Sequence, residues 1–189
     1  MTFSRIVQNR SISAYRLSKE SDVPYMTVND LINNKTTLTK CNAETVYKIA
    51  KALNMSVEEL IEPYMKPRPS FELFKSNVCH KLKELGDIDF LADLLDSDEI
   101  TDYYNLTWYP ECLYLLAMLD YVSRINGIPI CSEYDSLRSL KLSSVIYPSS
   151  VLAVDIASNS DLAKKEAWEK SIPEFKRFNI VENEVRNIV

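Results

Sequence analysis

Residues 13–35 read Ser13-Ala-Tyr-Arg-Leu-Ser-Lys-Glu-Ser-Asp-Val-Pro-Tyr-Met-Thr-Val-Asn-Asp-Leu-Ile-Asn-Asn-Lys35. Leu17, Val23, Val28 and Leu31 are spaced so that two short helices, about 14–20 and 24–33, pack across a tight turn at Ser21–Asp22. Pro24 suits the first turn of the second helix, where a missing backbone donor costs nothing. Just downstream runs Asn42-Ala-Glu-Thr-Val-Tyr-Lys-Ile-Ala-Lys-Ala-Leu-Asn-Met-Ser-Val-Glu-Glu-Leu-Ile61, whose Ile49, Ala50, Leu53 and Leu60 close the same core from the other side. Everything before Pro63 reads as five short helices.

Over residues 3–61 these two stretches closely resemble the Xre/phage-repressor family of helix-turn-helix proteins, of Cro/C1 type. The resemblance implies a compact bundle of about five helices. Two turn positions that are usually glycine in that family carry Asp22 and Asn34, and both residue types tolerate the left-handed conformation better than most. It also implies that the second helix enters the DNA major groove with its early residues at base edges. Carried over residue by residue, Tyr25, Met26, Asn29 and Asp30 face the bases. Tyr25 and Met26 can meet a thymine methyl, Asn29 can bond adenine, and Asp30 can accept from a cytosine amino group. Thr27, Asn33 and Lys35, with Arg10, Arg16 and Lys40 nearby, become candidates for phosphate contacts, which set salt dependence without reading sequence. Ala14 departs from the family, standing where a glutamine usually grips the backbone, and Asp30 repels phosphate.

Outward from this stretch, Pro63-Tyr-Met-Lys-Pro-Arg-Pro69 holds three prolines in seven residues. Proline removes backbone donors and bars helix from the residue before it, so this segment marks the domain boundary. The expected organisation is a helix-turn-helix domain at 1–62, a linker at 63–69 and a larger, mostly helical domain at 70–189. The fold class is mainly α. Ser70 is placed to cap a helix with Phe71, Phe74, Val78, Leu82 and Leu85 on its apolar stripe. Gly86 stops it, and Asp87 can cap a next helix that buries Ile88, Leu91, Leu94 and Leu95. A third helix begins near Pro110 and is apolar nearly all round, which makes it central to its domain. Asn126-Gly127 ends it. A helix is expected near 133–140 and another over 161–171. Ser150–Ala157 fits either a strand or a buried helix, and 172–182 either a short strand or a tail packed on the core.

Charge separates the two parts. Residues 1–66 carry nine basic and seven acidic residues, and residues 67–189 carry thirteen and twenty, so +2 and −7 sum to the net −5. From Glu84 to Ser123 there are ten acids and no Lys or Arg. Asp87, Asp89, Asp93, Asp96, Asp98, Glu99 and Asp102 either solvate helix surfaces or form a docking face for a basic partner, where charge speeds encounter and fixes register. They lack the central glycine of a calcium loop.

Composition excludes several classes. The chain has 189 residues, 46% apolar and 26% charged, which fits an ordinary water-soluble globular protein. Gly86 and Gly127 are its two glycines and cannot form a phosphate loop. His80 is the one histidine, and Cys41, Cys79, Cys112 and Cys131 include no C-x-x-C pair, so no zinc site of ordinary spacing can be assembled. Neither a membrane span nor a secretion signal is evident, so the cysteines are expected to be reduced thiols in the cytoplasm, three of them small core residues. No metal, cofactor or catalytic residues are expected, and the protein is not expected to be an enzyme. The expected function is a sequence-specific transcriptional regulator. It is expected to bind a double-stranded operator as a homodimer and to act as an antitoxin, autoregulating its operon and neutralising a toxin through the acidic domain. The alternative is a phage-like or metabolic repressor whose second domain dimerises or senses a small ligand.

Overall fold

The computed structural model describes residues 3–65 and 67–186. Among these residues it is built from α-helices and short 3-10 turns, with one isolated parallel bridge between Ile146 and Ile180. Contacts divide the chain into two units, Met1–Arg68 with Asn105–Thr107, and Pro69–Tyr104 with Trp108–Val189. No helix among the described residues is long and apolar enough to cross a membrane.

The first unit contains α1 (Phe3–Asn9), α2 (Ala14–Ser21), α3 (Tyr25–Ile32), α4 (Ala43–Ala52) and α5 (Val57–Met65). The side chains that set the sequence spacing form its core: Leu17, Val23, Val28, Leu31, Ile49, Ala50, Leu53 and Leu60 are all buried, joined by Phe3, Ile6, Val7, Leu38 and Val46. The helix starts are capped as their residue types dictate. Ser13 accepts from the Arg16 N–H, Asn42 from Thr45, and Ser56 and Glu59 cap each other reciprocally at the start of α5. The expected linker begins too early, because Pro63 lies inside α5. Tertiary contact holds that last turn: Tyr64 packs on the core and its hydroxyl accepts the Phe3 N–H at 2.8 Å.

The second unit contains α6 (Phe71–Leu85), α7 (Asp87–Ser97), α8 (Glu99–Asn105), α9 (Tyr109–Ile125), α10 (Asp135–Arg138), α11 (Ser149–Ser158), α12 (Leu162–Lys170) and α13 (Pro173–Arg177). Ser70 caps α6 by accepting from Leu73. Gly86, at φ 77°, both ends α6 and starts α7, taking the cap position expected of Asp87. α9 is the central helix, buried from Glu111 to Asp120 without interruption, and α6, α7 and α13 pack around it. α7 turns a different face inward than expected. Phe90, Leu91 and Leu94 are buried, whereas Ile88 and Leu95 stay exposed, because Phe90 supplies the large ring that the core takes. The helix expected near 133–140 is a 3-10 turn at Ser132–Tyr134 followed by the four residues of α10. The tail packs on the core through Phe175, Phe178, Ile180 and Val185. Two cysteines are buried, Cys79 and Cys112, while Cys41 and Cys131 are half-buried. Burial pushes the Cys112 thiol up to about 12 and the Cys79 thiol above its ordinary value, so neither is poised as a nucleophile.

Three carboxylates inside this unit, Asp120, Glu174 and Glu182, are paired with basic side chains. Asp120, 1% exposed on the largely apolar α9, accepts from Arg138 at 2.8 Å and from Arg177 at 3.2 Å. Glu174 binds Arg124 through both oxygens, at 2.5 and 3.3 Å, and Lys75 meets Glu182 at 2.7 Å. Such pairs offset the cost of burying charge and fix which element faces which.

Candidate nucleic-acid interface

Local chemistry aims α3 outward. Asp22 adopts the left-handed conformation at φ 52° and ends α2, and Asn34 does the same at φ 54° after α3. The turn between the helices is closed by Ser18 Oγ donating to the Val23 carbonyl at 2.7 Å, while Ser21 Oγ donates to Leu17 at 2.6 Å. Pro24 stands at the cap of α3 rather than in its first turn, and its carbonyl accepts from Val28. Val28 and Leu31 are buried, so the remaining faces of α3 point away from the core.

Those faces carry the expected base-reading residues. Tyr25 and Met26 are exposed, Met26 to 64%, and Asn29 and Asp30 follow one turn later, half-buried. Rows 25/29/33 and 26/30 therefore lie side by side along one surface. An exposed methionine and tyrosine beside an amide and a carboxylate combine apolar contact with donors and acceptors, which is what base edges in the major groove offer.

The expected phosphate contacts divide into two groups. Arg10 and Lys40 are exposed and Thr27 is half-buried. The other three are held by neighbours. Arg16 pairs with Glu20 at 2.7 Å, which raises the guanidinium pKa further and leaves less of its charge for a phosphate. Asn33 Nδ2 donates to the Asn29 carbonyl at 2.7 Å and to Asn29 Oδ1 at 3.1 Å. Lys35 Nζ lies 3.8 Å from Asp30 Oδ1. The Asp30–Lys35 pair offsets the negative charge that would repel a phosphate backbone, and the Asn29–Asn33 bond fixes which way the Asn29 amide points.

Sequence reasoning passed over a second exposed aromatic in the first unit. Tyr15 on α2 is exposed with the Lys19 ammonium over its ring at 5.7 Å. Their spacing of four along a helix was the available signal.

The acidic stretch is less open than its composition suggests. Asp87 binds Arg186 at 2.7 Å and the Asn126 amide, and Lys81 pairs with both Asp93 and Glu99. Asp98 ends α7 in the left-handed conformation and accepts from Thr101. Asp102 is half-buried. Asp89 and Asp96 are the exposed pair. The docking face expected over all seven acids therefore contracts toward two, because basic side chains elsewhere in the same unit already neutralise others.

Residues 2–66 match the model of the Cro/C1-type HTH DNA-binding domain. No curated protein and no solved structure matches the chain.

Proposed function

From a Cro/C1-type HTH domain, and hence a DNA-binding transcriptional regulator, as the premise, we propose that this protein represses by laying α3 in the major groove of an operator. Tyr25, Met26, Asn29 and Asp30 read bases, and Arg10, Thr27, Lys35 and Lys40 hold phosphates. Arg16 joins them once it exchanges Glu20 for the backbone, and Asn33 serves chiefly to orient Asn29. The observation that carries this reading is the outward face of α3, where exposed Tyr25 and Met26 adjoin Asn29 and Asp30 over a buried Val28–Leu31 base. A net charge of only +2 on residues 1–66 favours binding by two copies, since linking two weak contacts raises affinity without new chemistry. The test is a gel shift on duplexes selected from a random pool. Asn29→Ala with Lys35→Glu is expected to lose the shift while circular dichroism stays unchanged. An unaltered shift assigns the reading to another helix.

A second reading adds a protein partner, a toxin from the same operon neutralised by the acidic unit. Exposed Asp89 and Asp96 on α7 support it, inside a part of the chain with a net −7. Charge reversal of both is expected to slow capture of a basic partner several-fold and to make the residual binding insensitive to salt, with operator binding intact. Unchanged capture kinetics remove the acids from that role.

A further inference from the structure

The end of α9, the loop after it and α13 border a cleft of about 430 Å³, within the ~300–1,000 Å³ of small-ligand sites. Arg124 enters it from the last turn of α9 and Arg177 from α13. Their charges are not spent on the acids beside them. Asp120 is held by Arg138 in a two-pronged pair, Nε 3.0 Å from Oδ2 and Nη2 2.8 Å from Oδ1. Nη1 of Arg138 serves the Cys131 carbonyl and Asp135. Arg177 is therefore a second cation on a carboxylate already matched, and it reaches Asp120 through Nη1 alone. Its Nε and Nη2 have no hydrogen-bond partner among the described residues. Neither has Nη1 of Arg124, which binds Glu174 through Nε and Nη2. Both guanidiniums are about half exposed, at 53% for Arg124 and 43% for Arg177. Asp135 is 71% exposed and screened by solvent. Three guanidiniums thus surround two buried carboxylates, a positive spot in a part of the chain with a net −7. The helix end does not cancel it, because the Val122, Ser123 and Arg124 carbonyls already accept from Asn126, Ile128 and Gly127.

We propose that this cleft binds a small organic carboxylate, its anion held between Arg124 and Arg177 and its apolar body against Ile128 and Ile130. The donors set the ligand's chemistry. Guanidiniums present planar forks that match a planar anion. Buried Asp120 and Glu174 repel a second negative charge, which favours a carboxylate over a phosphate dianion. Ile130 is exposed and Ile128 half-buried in the lining loop, so a hydrocarbon body gains by covering them.

The site belongs wholly to the second unit and its test needs no DNA, so it stands or falls apart from the operator reading. Benzoate is the probe, with benzamide as its uncharged counterpart and inorganic phosphate as an anion without an apolar body. Titration of the full chain, followed by amide NMR spectra, is expected to give saturable shifts at Gly127, Ile128 and Ile130 with benzoate. Benzamide is expected to give none, and phosphate to bind more weakly than benzoate. Arg177→Gln leaves Asp120 its pair with Arg138 and is expected to weaken benzoate roughly tenfold, the loss of a charge-assisted hydrogen bond. Ile130→Glu, at an exposed loop position, is expected to abolish binding and decides the matter should Arg177→Gln fail to fold. Absence of saturable shifts in this loop overturns the proposal. So does benzamide binding as tightly as benzoate, or phosphate more tightly. Benzoate affinity unmoved in a folded Arg177→Gln or Ile130→Glu chain overturns it as well.

Discussion

α3 and the cleft between α9 and α13 both set polar side chains beside apolar ones, yet they arrange them differently. On α3, Tyr25 and Met26 share the surface with Asn29, Asp30, Asn33 and Thr27, and Lys35 follows in the next turn. In the cleft two arginines adjoin one space beside an aliphatic loop. Duplex DNA presents donors, acceptors and thymine methyls between rows of phosphates, so a face that reads it needs polar and apolar groups spread along a helix. A small acid presents one anionic end and one apolar body, and a site for it needs a concave wall with a few convergent donors. Residue types alone mark neither region as functional; their arrangement separates them.

The sharpest way to break this contrast is to exchange the effects of the two surfaces. Asn29→Ala with Lys35→Glu is expected to weaken operator binding by more than about 100-fold, the combined loss of a base contact and a phosphate contact, while the affinity for benzoate stays untouched. The next largest effect runs the other way. Arg177→Gln is expected to weaken benzoate by roughly tenfold and to leave operator affinity, measured without benzoate, unchanged. An equal loss on the duplex would place Arg177 in the DNA contact itself.

Smaller effects refine the picture. Asp30→Asn removes the partner of Lys35 and one acceptor from the reading face, so binding is expected to tighten by about 3–10-fold, near 1 kcal/mol, with weaker discrimination at one base pair. The last effect is on stability. Burial of the Glu174 carboxyl pushes its pKa up, but the hydrogen bonds and charge of Arg124 outweigh this and hold it below the ordinary value. A depressed folded-state pKa adds stability that is present above the unfolded carboxylate range and is lost as pH falls through the folded value. Glu174→Gln is therefore expected to cost about 1 kcal/mol near neutrality, since Arg124 is half exposed and solvent screens the pair. The gap from wild type in chemical denaturation is expected to close as pH falls through the acid range. A gap that persists in acid would mean the pair contributes packing alone.

Much of the first unit was legible because its signals are local. The spacing of Leu17, Val23, Val28 and Leu31 and the left-handed tolerance of Asp22 and Asn34 each act within a few residues and agree with one another. The second unit was harder for a physical reason. α9 and α11 are both apolar round most of their circumference, so periodicity distinguishes neither a core face nor an outer one. The all-round apolar sequence of α9 did mark it as central, and Asp120 is accommodated there by Arg138 and Arg177 from distant positions, whereas α11 turned Asp155 toward Lys164 and most of its apolar side chains outward. At the candidate site, sequence named the outward face of α3 but could not place the partners of its polar groups. The Asn29–Asn33 and Asp30–Lys35 contacts depend on side-chain geometry that residue identity leaves open. The same holds for the acids: Lys81 and Arg186 neutralise Asp93, Glu99 and Asp87 across sequence separations that no local pattern encodes.

The groove proposed for α3 can be tested chemically, because guanine N7 opens onto the major groove and adenine N3 onto the minor. Methylation protection of a selected operator is the direct measurement. Placement of α3 as described predicts protected guanine N7 atoms in two patches about one helical turn apart, with protection lost at specific bases in Asn29→Ala. Protection confined to adenine N3, or guanine N7 atoms that stay fully reactive in the bound duplex, would contradict it.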